Sequence, residues 1–317
     1  MIHMIGRFRN LQRKGAPSTP LLDTLNVTTL REDPDLLENV IASQHKLAFS
    51  DKSVAELLES IYLLPDRAAD FNRFAQSMEF ATILRLMRIF GVTKDQALIE
   101  IGGGPGFLTW ALHRDGYQIG LLEPNARWNT GTGYLRSRAD TGGIEVFNDH
   151  LAWHAKPLRY DVFITKTCIH HFQNIGMVAA SLRQKLSAGG RWFAFREQFA
   201  DTPKELGEAL ANHPYCQRFG TYEWFYPAHH YAEAIELTGF RLDAVVPAGY
   251  ANDCLGTYSE GPPSAESRRL TDKFDTLLAQ APAKSVDAFW REVRRNRDER
   301  AGVHIYTRPQ AMIFTKI

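Results

Sequence analysis

The chain has 317 residues, of which 44% are hydrophobic, and its formal net charge is +1. This length suffices for one α/β domain with large insertions, and the hydrophobic share excludes a disordered scaffold. The near-neutral charge gives no electrostatic reason to expect nucleic acid or an anionic membrane as a partner.

The three cysteines, Cys168, Cys216 and Cys254, are scattered and form no CxxC pair. This arrangement argues against a disulfide framework and a structural zinc site, and it fits a reducing compartment. The basic N-terminal stretch lacks a following apolar region, and no segment has the apolar length that a bilayer requires. We therefore expect a cytoplasmic protein without a metal centre.

Residues 1–95 are predicted to form a helical N-terminal cap. Apolar residues recur three and four positions apart in three segments, which begin at Asp33, Ser53 and Arg73. Gly91 follows the last segment and is a typical residue for the end of a helix.

From Gln96 the pattern changes to short apolar strands that alternate with helical segments. Strands are predicted in the stretches ALIEIG, QIGLLEP, IEVFND, YDVFITK, RWFAFRE, RLDAVVPAG and QAMIFTKI. Helical connections between strands indicate a parallel sheet with helices on both faces. We therefore predict an α/β core from residues 96–249 and 309–317, with a helical insertion at 250–308.

A glycine-rich turn follows the first predicted strand. Glu100 begins the spacing Glu-x-Gly-x-Gly-x-Gly, which ends at Gly106. A phosphate-binding loop would end in Gly-Lys-Ser/Thr, and a nicotinamide-dinucleotide fingerprint would need glycine where the chain has Phe107. The missing side chains either let a ligand touch the main chain or let the next helix pack closely.

Two carboxylates stand at the ends of the next two predicted strands. Glu123 ends the second strand, about twenty residues past the glycines, where a carboxylate can accept hydrogen bonds from both ribose hydroxyls. Asp149 ends the third strand, where a carboxylate can accept from an adenine amino group. Ligands bind at this carboxyl edge in parallel sheets, although each acid could instead be a solvated strand end.

Over about residues 96–199 this ensemble resembles the class I S-adenosylmethionine-dependent methyltransferases. The resemblance implies a Rossmann-like core, with a mostly parallel seven-stranded sheet and an antiparallel final strand. It implies S-adenosylmethionine as cofactor and S-adenosylhomocysteine as product, which agrees with a turn that lacks a phosphate-binding lysine. The residues that it assigns to cofactor binding are Glu100, Gly102, Gly104 and Gly106 at the methionine portion, Glu123 at the ribose, Asp149 at the adenine, and Lys166 and Thr167 after the fourth strand.

Two histidines, His170 and His171, follow the fourth predicted strand at the same edge. The sulfonium methyl group is already activated, so a base is needed only if the acceptor must lose a proton. Histidine titrates near neutrality, so either residue is a candidate general base; alternatively, both orient the loop and line the pocket. We interpret Cys168 as a small buried hydrophobe, because it lacks the preceding proline of the cytosine-methylating cysteine.

The substrate pocket is predicted in an aromatic segment after the fifth strand. Glu223, Trp224 and Tyr226 are the candidate substrate-binding residues, because aromatic rings there could enclose an apolar or planar acceptor. Alternatively, the aromatic residues belong to an ordinary core. His229 and His230 are predicted to begin a helix and not to hold a metal.

The helical cap and the insertion at 250–308 are predicted to act as lids that shield a small acceptor from water. The basic stretch at 291–300 alternates with acids, which favours a salt-bridged helix face over an RNA-binding surface. We therefore predict a small-molecule methyltransferase. The alternatives are an RNA or protein methyltransferase, a binding or scaffold protein that retains the fold, and an enzyme that uses the cofactor only as an electrostatic aid.

Overall fold

The computed structural model describes residues 34–172, 174–212, 225–250, 265–299 and 305–317. Its strands are β1 (Ala97–Ile101), β2 (Gln118–Leu122), β3 (Val146–Phe147), β4 (Tyr160–Lys166), β5 (Leu186–Phe195), β6 (Phe240–Val246) and β7 (Ala311–Lys316). They form one seven-stranded sheet in the order β3-β2-β1-β4-β5-β7-β6. The neighbouring pairs among β1 to β5 are parallel, and β7 is antiparallel to both β5 and β6. The predicted mostly parallel sheet with an antiparallel final strand is therefore confirmed.

Helices connect the strands and cover both faces of the sheet. Within the described ranges they are α1 (Pro34–Leu47), α2 (Lys52–Ser60), α3 (Arg67–Gln76), α4 (Met78–Ile89), α5 (Phe107–Arg114), α6 (Gly133–Ser137), α7 (His150–Ala155), α8 (Ile175–Arg183), α9 (Pro203–Asn212), α10 (Ala228–Glu236), α11 (Ala265–Gln280) and α12 (Ala283–Glu299). Short 3-10 turns span Ala139–Thr141 and Ile169–His171.

Two hydrophobic clusters lie on the two faces of the sheet. Alternation along β4 places Val162 and Ile164 in the first cluster and Phe163 in the second. The first cluster also contains buried residues of α3, α4 and α5, and the second contains buried residues of α8, α10 and α12. The sheet is therefore the middle of three layers, and its carboxyl edge is built from the loops after the parallel strands.

The N-terminal cap has two parts. Phe71 and Phe74 of α3 are fully buried, and the ring of Phe71 lies 4.6 Å from that of Phe107 at the start of α5. α1 and α2 instead contribute to a separate small cluster of Ile41 and its neighbours. Residues 1–33 of the predicted cap lie outside the described residues.

The apolar repeat from Arg73 predicts one continuous helix, but the structure has a break between α3 and α4. Ser77 is extended (φ −73°, ψ 155°), and its side chain accepts a hydrogen bond from the amide of Phe80, so it ends one helix and caps the next. The segment from Ser53 also ends early, because Tyr62 adopts a φ of +57° that no helix contains. At the other end of α4, Gly91 has a φ of +71° and confirms the predicted helix stop.

Two further boundaries differ from the predictions. β3 contains only Val146–Phe147 of the predicted strand IEVFND. The predicted helix at 177–190 ends at Arg183, because Leu186 already pairs with Tyr160 at the start of β4. Long-range pairing decides this boundary, and the local pattern does not contain that information.

Two helices of the insertion, α11 and α12, lie at the β6 end of the sheet. α11 contributes Leu278 to the first cluster, and α12 contributes Phe289 and Val293 to the second, so the two helices straddle this end of the sheet. In the first turn of α12, the Ser285 hydroxyl accepts a 3.0 Å hydrogen bond from the amide of Val245 on the unpaired edge of β6. This contact satisfies an edge donor and blocks pairing with another strand. The predicted lid role of the insertion stays a prediction.

Ser285→Ala should lower the free energy of unfolding by about 1–3 kcal/mol, because it leaves the buried Val245 amide without its acceptor. Urea denaturation measures the change. Ser43→Ala is the matched control on an exposed helix face, with an expected change within about 0.5 kcal/mol. Equal effects of the two variants would contradict the edge-capping role.

Candidate functional site

The turn between β1 and α5 has a left-handed backbone at every second residue. Gly102, Gly104 and Gly106 have φ values of +67°, +54° and +83°. Only glycine adopts this conformation without steric cost, so the spacing of the glycines is required by the backbone itself.

The surroundings of the same turn show where a ligand could approach. A Cβ at Gly103 would lie 2.5 Å from Cδ of Glu100, and one at Gly106 would lie 2.7 Å from Cδ2 of Leu135. A Cβ at Gly104 would meet nothing nearer than the carbonyl oxygen of Thr130, at 3.8 Å. Close packing therefore explains two of the glycines, whereas Gly104 faces space in which a ligand could touch the main chain.

Glu100 supports the turn from beneath. Its side chain is buried, and Oε2 accepts hydrogen bonds from the amide (2.9 Å) and the hydroxyl (2.5 Å) of Thr109 in the first turn of α5. Burial raises the pKa of Glu100, against the opposing effects of Thr109 and Lys166. These contacts give Glu100 a structural role, and its contact with a cofactor stays a prediction.

Glu123 joins the end of β2 to the glycine turn. It is buried, and Oε2 accepts a 2.9 Å hydrogen bond from the amide of Gly104 while Oε1 accepts a 2.8 Å bond from the amide of Asn125. A carboxylate offers about four acceptor positions, so these bonds are compatible with hydroxyl donors from a ribose. The structure therefore brings together Glu123 and Gly104, whose missing side chain leaves open space.

Asp149 lies two residues beyond β3 and caps α7. Its Oδ1 accepts hydrogen bonds from the amides of Leu151 (2.7 Å) and Ala152 (3.1 Å). The preceding residue, Asn148, donates 2.6 Å to the carbonyl oxygen of Glu123 and so ties β3 to the β2 loop. Sequence reasoning missed Asn148, and the adenine contact of Asp149 stays a prediction.

The backbone is strained just after β4 and β5, and the basic side chains of Lys166 and Arg196 lie there. Thr167 and Arg196, one residue past each strand, have φ values of +51° and +54°, which are rare for residues other than glycine and especially for a β-branched one. Glu79 of α4 lies 3.5 Å from Nζ of Lys166 and 3.2 Å from the guanidinium of Arg196. The side chain of Lys166 therefore lies against α4 of the N-terminal cap. Its contact with a cofactor stays a prediction.

Glu197, two residues past β5, is the main site residue that sequence reasoning missed. Its buried carboxylate accepts hydrogen bonds from the amides of Cys168 (3.0 Å), Ile169 (2.9 Å) and His170 (3.2 Å), and it lies 2.9 Å from Nδ1 of His170. Burial alone would raise the pKa of Glu197, but the hydrogen bond and charge of His170, together with the amides, outweigh burial and lower it. Glu197 thus fixes the loop that carries both histidines.

The two histidines differ in exposure. His170 is buried against Glu197, whereas His171 is half-buried, with its ring 4.2 Å from that of His170. The ring of Phe225, at the start of the described aromatic segment, lies 5.8 Å from His170. His171 is therefore the more accessible of the two candidate bases.

The remaining predicted residues are described only in part. Tyr226 is half-buried, its ring stacks on His230 at 4.7 Å, and burial raises its pKa. Glu223 and Trp224 lie outside the described residues. Cys168 is buried and its pKa is raised well above the ordinary value by burial and by the nearby carboxylates, as expected for an inert thiol.

No group of three or more His, Cys, Asp or Glu side chains suited to a metal ion occurs in the part of the chain that the structure describes. Across those same ranges, no helix is both long and apolar enough to cross a membrane.

Residues 71–245 match the profile of a protein family described as a methyltransferase domain. The match covers more than half of the chain and contains the glycine turn, Glu123 and the histidine pair. Comparison with curated proteins found no match.

Several solved structures are similar to the chain. They include the mitomycin 7-O-methyltransferase MmcR (18% identity, 64% of this chain and 56% of that chain, TM-score 0.42) and the Haemonchus contortus phosphoethanolamine N-methyltransferase 2 (14%, 75% and 52%, 0.44). Geranyl diphosphate C-methyltransferase from Streptomyces coelicolor is another (14%, 75% and 78%, 0.45). The chain thus spans little more than half the length of the first two.

Glu197→Gln should lower the free energy of unfolding at neutral pH by about 3–5 kcal/mol, because it removes a buried anion that four donors surround. The pKa of Glu197 is lowered in the fold, so its contribution is present above the ordinary carboxyl value of 4.5 and is lost as pH falls through the folded value. The difference between the wild type and the variant should therefore shrink on acidification below that value.

Denaturant unfolding of both proteins from pH 7 down to pH 3 measures this trend, with Glu56→Gln as the exposed control. A difference that stays constant or grows on acidification would contradict the assigned charge state of Glu197.

Proposed function

Since the chain belongs to the methyltransferase-domain family, we propose that it transfers a methyl group from S-adenosylmethionine to a small-molecule acceptor. The observation that carries this proposal is the buried carboxylate of Glu123, which accepts from the amide of Gly104 where the turn is open. A carboxylate beside an accessible main chain fits a ribose linked to an amino-acid portion.

The donor set of the turn supports this cofactor over a phosphate-bearing one. Phe107, Leu108 and Thr109 follow the last glycine, so the turn contributes no lysine to a phosphate group. In this proposal Glu123 holds the ribose, the main chain at Gly102, Gly104 and Gly106 contacts the methionine portion, and Asp149 faces the adenine. Lys166 and Thr167 complete the cofactor side.

When bound, S-adenosylmethionine supplies an activated methyl group. The chain's own task is then to align the acceptor and to exclude water. His171, which is half-buried beside His170, takes a proton from an acceptor that must lose one, and the contact between Glu197 and His170 keeps the pair in place.

The acceptor side lies where the chain leaves β5. Tyr226 borders it, and Glu223 and Trp224 belong to the same segment. We propose a small acceptor and not a nucleic acid because the net charge of the chain is only +1. We also propose that the helical cap and the insertion at 250–308 restrict access to this side, and that the enzyme works in the cytoplasm.

Calorimetric titration of the purified protein should show binding of S-adenosylmethionine and S-adenosylhomocysteine and none of NAD. Glu123→Ala should weaken binding of both by about tenfold or more, because a charge-assisted hydrogen bond is worth roughly 1.5–3 kcal/mol. Glu145→Ala, at an exposed and ion-paired carboxylate before β3, is the control. Binding of NAD alone would overturn the proposal.

His171→Ala should leave the affinity for S-adenosylhomocysteine nearly unchanged and slow methylation of an acceptor by about 10²–10⁴-fold. The assay follows transfer of isotopically labelled methyl groups to a panel of small hydroxylated and amine acceptors. The variant should also lose the acidic limb of the pH–rate profile. His113→Ala, in the last turn of α5, is the control. Full activity of the His171 variant across neutral pH would exclude it as the base.

A further inference from the structure

A carboxylate from the N-terminal cap holds the loop after β2. Glu38 of α1 accepts hydrogen bonds from the amide (2.9 Å) and Nδ2 (2.8 Å) of Asn129, and from the amide (3.2 Å) and hydroxyl (3.1 Å) of Thr130. The half-buried carboxylate of Glu38 therefore accepts hydrogen bonds from the main-chain amides and from the side chains of two consecutive residues.

These contacts continue to the proposed ribose-binding carboxylate. The hydroxyl of Thr130 accepts a 3.0 Å bond from Nδ2 of Asn125, and the amide of Asn125 donates 2.8 Å to Glu123. Glu123 in turn accepts from Gly104, so an unbroken series of hydrogen bonds links α1 to the open glycine of the turn.

The loop between β2 and α6 is wound tightly around the same residues. A Cβ at Gly131 would lie 2.2 Å from the carbonyl oxygen of Asn125, and one at Gly133 would lie 2.8 Å from Cα of Trp128. The carbonyl oxygen of Thr130 is also the atom nearest to the open side of Gly104. A shift of Thr130 would therefore change both the setting of Glu123 and the border of the space beside Gly104.

α1 is stabilised by apolar contacts that do not include Glu38. Its apolar face joins Ile41 to Val54, Leu58 and Leu63 in a cluster separate from the sheet. The exposed pair between Asp35 and Arg127 is a second, weaker attachment to the same loop. α1 also lies outside the residues that match the methyltransferase domain, so the Glu38 contact is an addition to that domain.

We infer that Glu38 is a positioning residue for S-adenosylmethionine: from α1 it fixes the loop after β2, so that Glu123 and the open side of Gly104 are placed for the cofactor. This inference rests on the proposed function. It assigns α1 a part in cofactor affinity, in addition to any role in covering the acceptor.

Titration with S-adenosylhomocysteine tests the inference. Glu38→Ala should raise the dissociation constant at least about fivefold, the lower end of the range for coupled sites. Glu56→Ala, an exposed glutamate of α2 with only a surface ion pair, should leave it unchanged. In turnover assays the Glu38 variant should raise KM for S-adenosylmethionine and leave kcat nearly unaltered. Glu38→Gln, which keeps the side-chain length, should show the same trend if the alanine variant folds poorly.

A double-mutant cycle separates positioning through Glu123 from a general loss of structure. In a Glu123→Gln background, Glu38→Gln should change the affinity less than twofold, because the residue that it positions is already altered. Fully additive effects, or an unchanged affinity in a folded Glu38 variant, would overturn the inference. Failure of the wild-type protein itself to bind S-adenosylhomocysteine would instead overturn the proposed function, and the inference with it.

Discussion

The turn after β1 can be built only if residues 102, 104 and 106 adopt positive φ, and the site is arranged around this constraint. Glycine meets it without steric cost, so α5 can start directly above Glu100 while Glu123 reaches the amide of Gly104. Close packing therefore accounts for some glycines of the turn, and another leaves space for a ligand. Gly103 and Gly106 are enclosed by side chains, and Gly104 faces open space.

Three buried acidic side chains organise the carboxyl edge of the sheet, and each accepts at least one hydrogen bond from a main-chain amide. Glu100 supports the glycine turn, Glu123 joins β2 to it, and Glu197 holds the histidine loop. The pKa values of Glu100 and Glu197 shift in opposite directions because their donors differ. Glu100 has one amide and one hydroxyl against full burial, so its pKa rises, whereas Glu197 has three amides and His170, so its pKa falls. At Glu197 the donors compensate for the lost water and favour the charged form of the carboxylate.

The sequence is sufficient to predict the sheet, the glycine turn and an acid beside that turn at the end of β2, because each depends on local spacing. Local spacing does not reveal contacts between residues that lie far apart in the sequence. Glu197 meets His170 only after β4 and β5 pair, and Glu38 meets Thr130 across more than ninety residues. The cover on the edge of β6 also depends on tertiary contacts, and no local pattern marks it. The break at Ser77 is a local cap, but the apolar period continues through it and hides it. A serine within a periodic segment is the one signal that could have indicated the break.

The central claim is that the turn at 102–106 and Glu123 form one nucleoside site. A crystal structure of the protein with S-adenosylhomocysteine tests it most directly. We expect both ribose hydroxyls to lie within hydrogen-bond distance of the Glu123 carboxylate, and the homocysteine portion to lie along the main chain at Gly104. A ligand bound elsewhere, or one whose ribose makes no contact with Glu123, would contradict it.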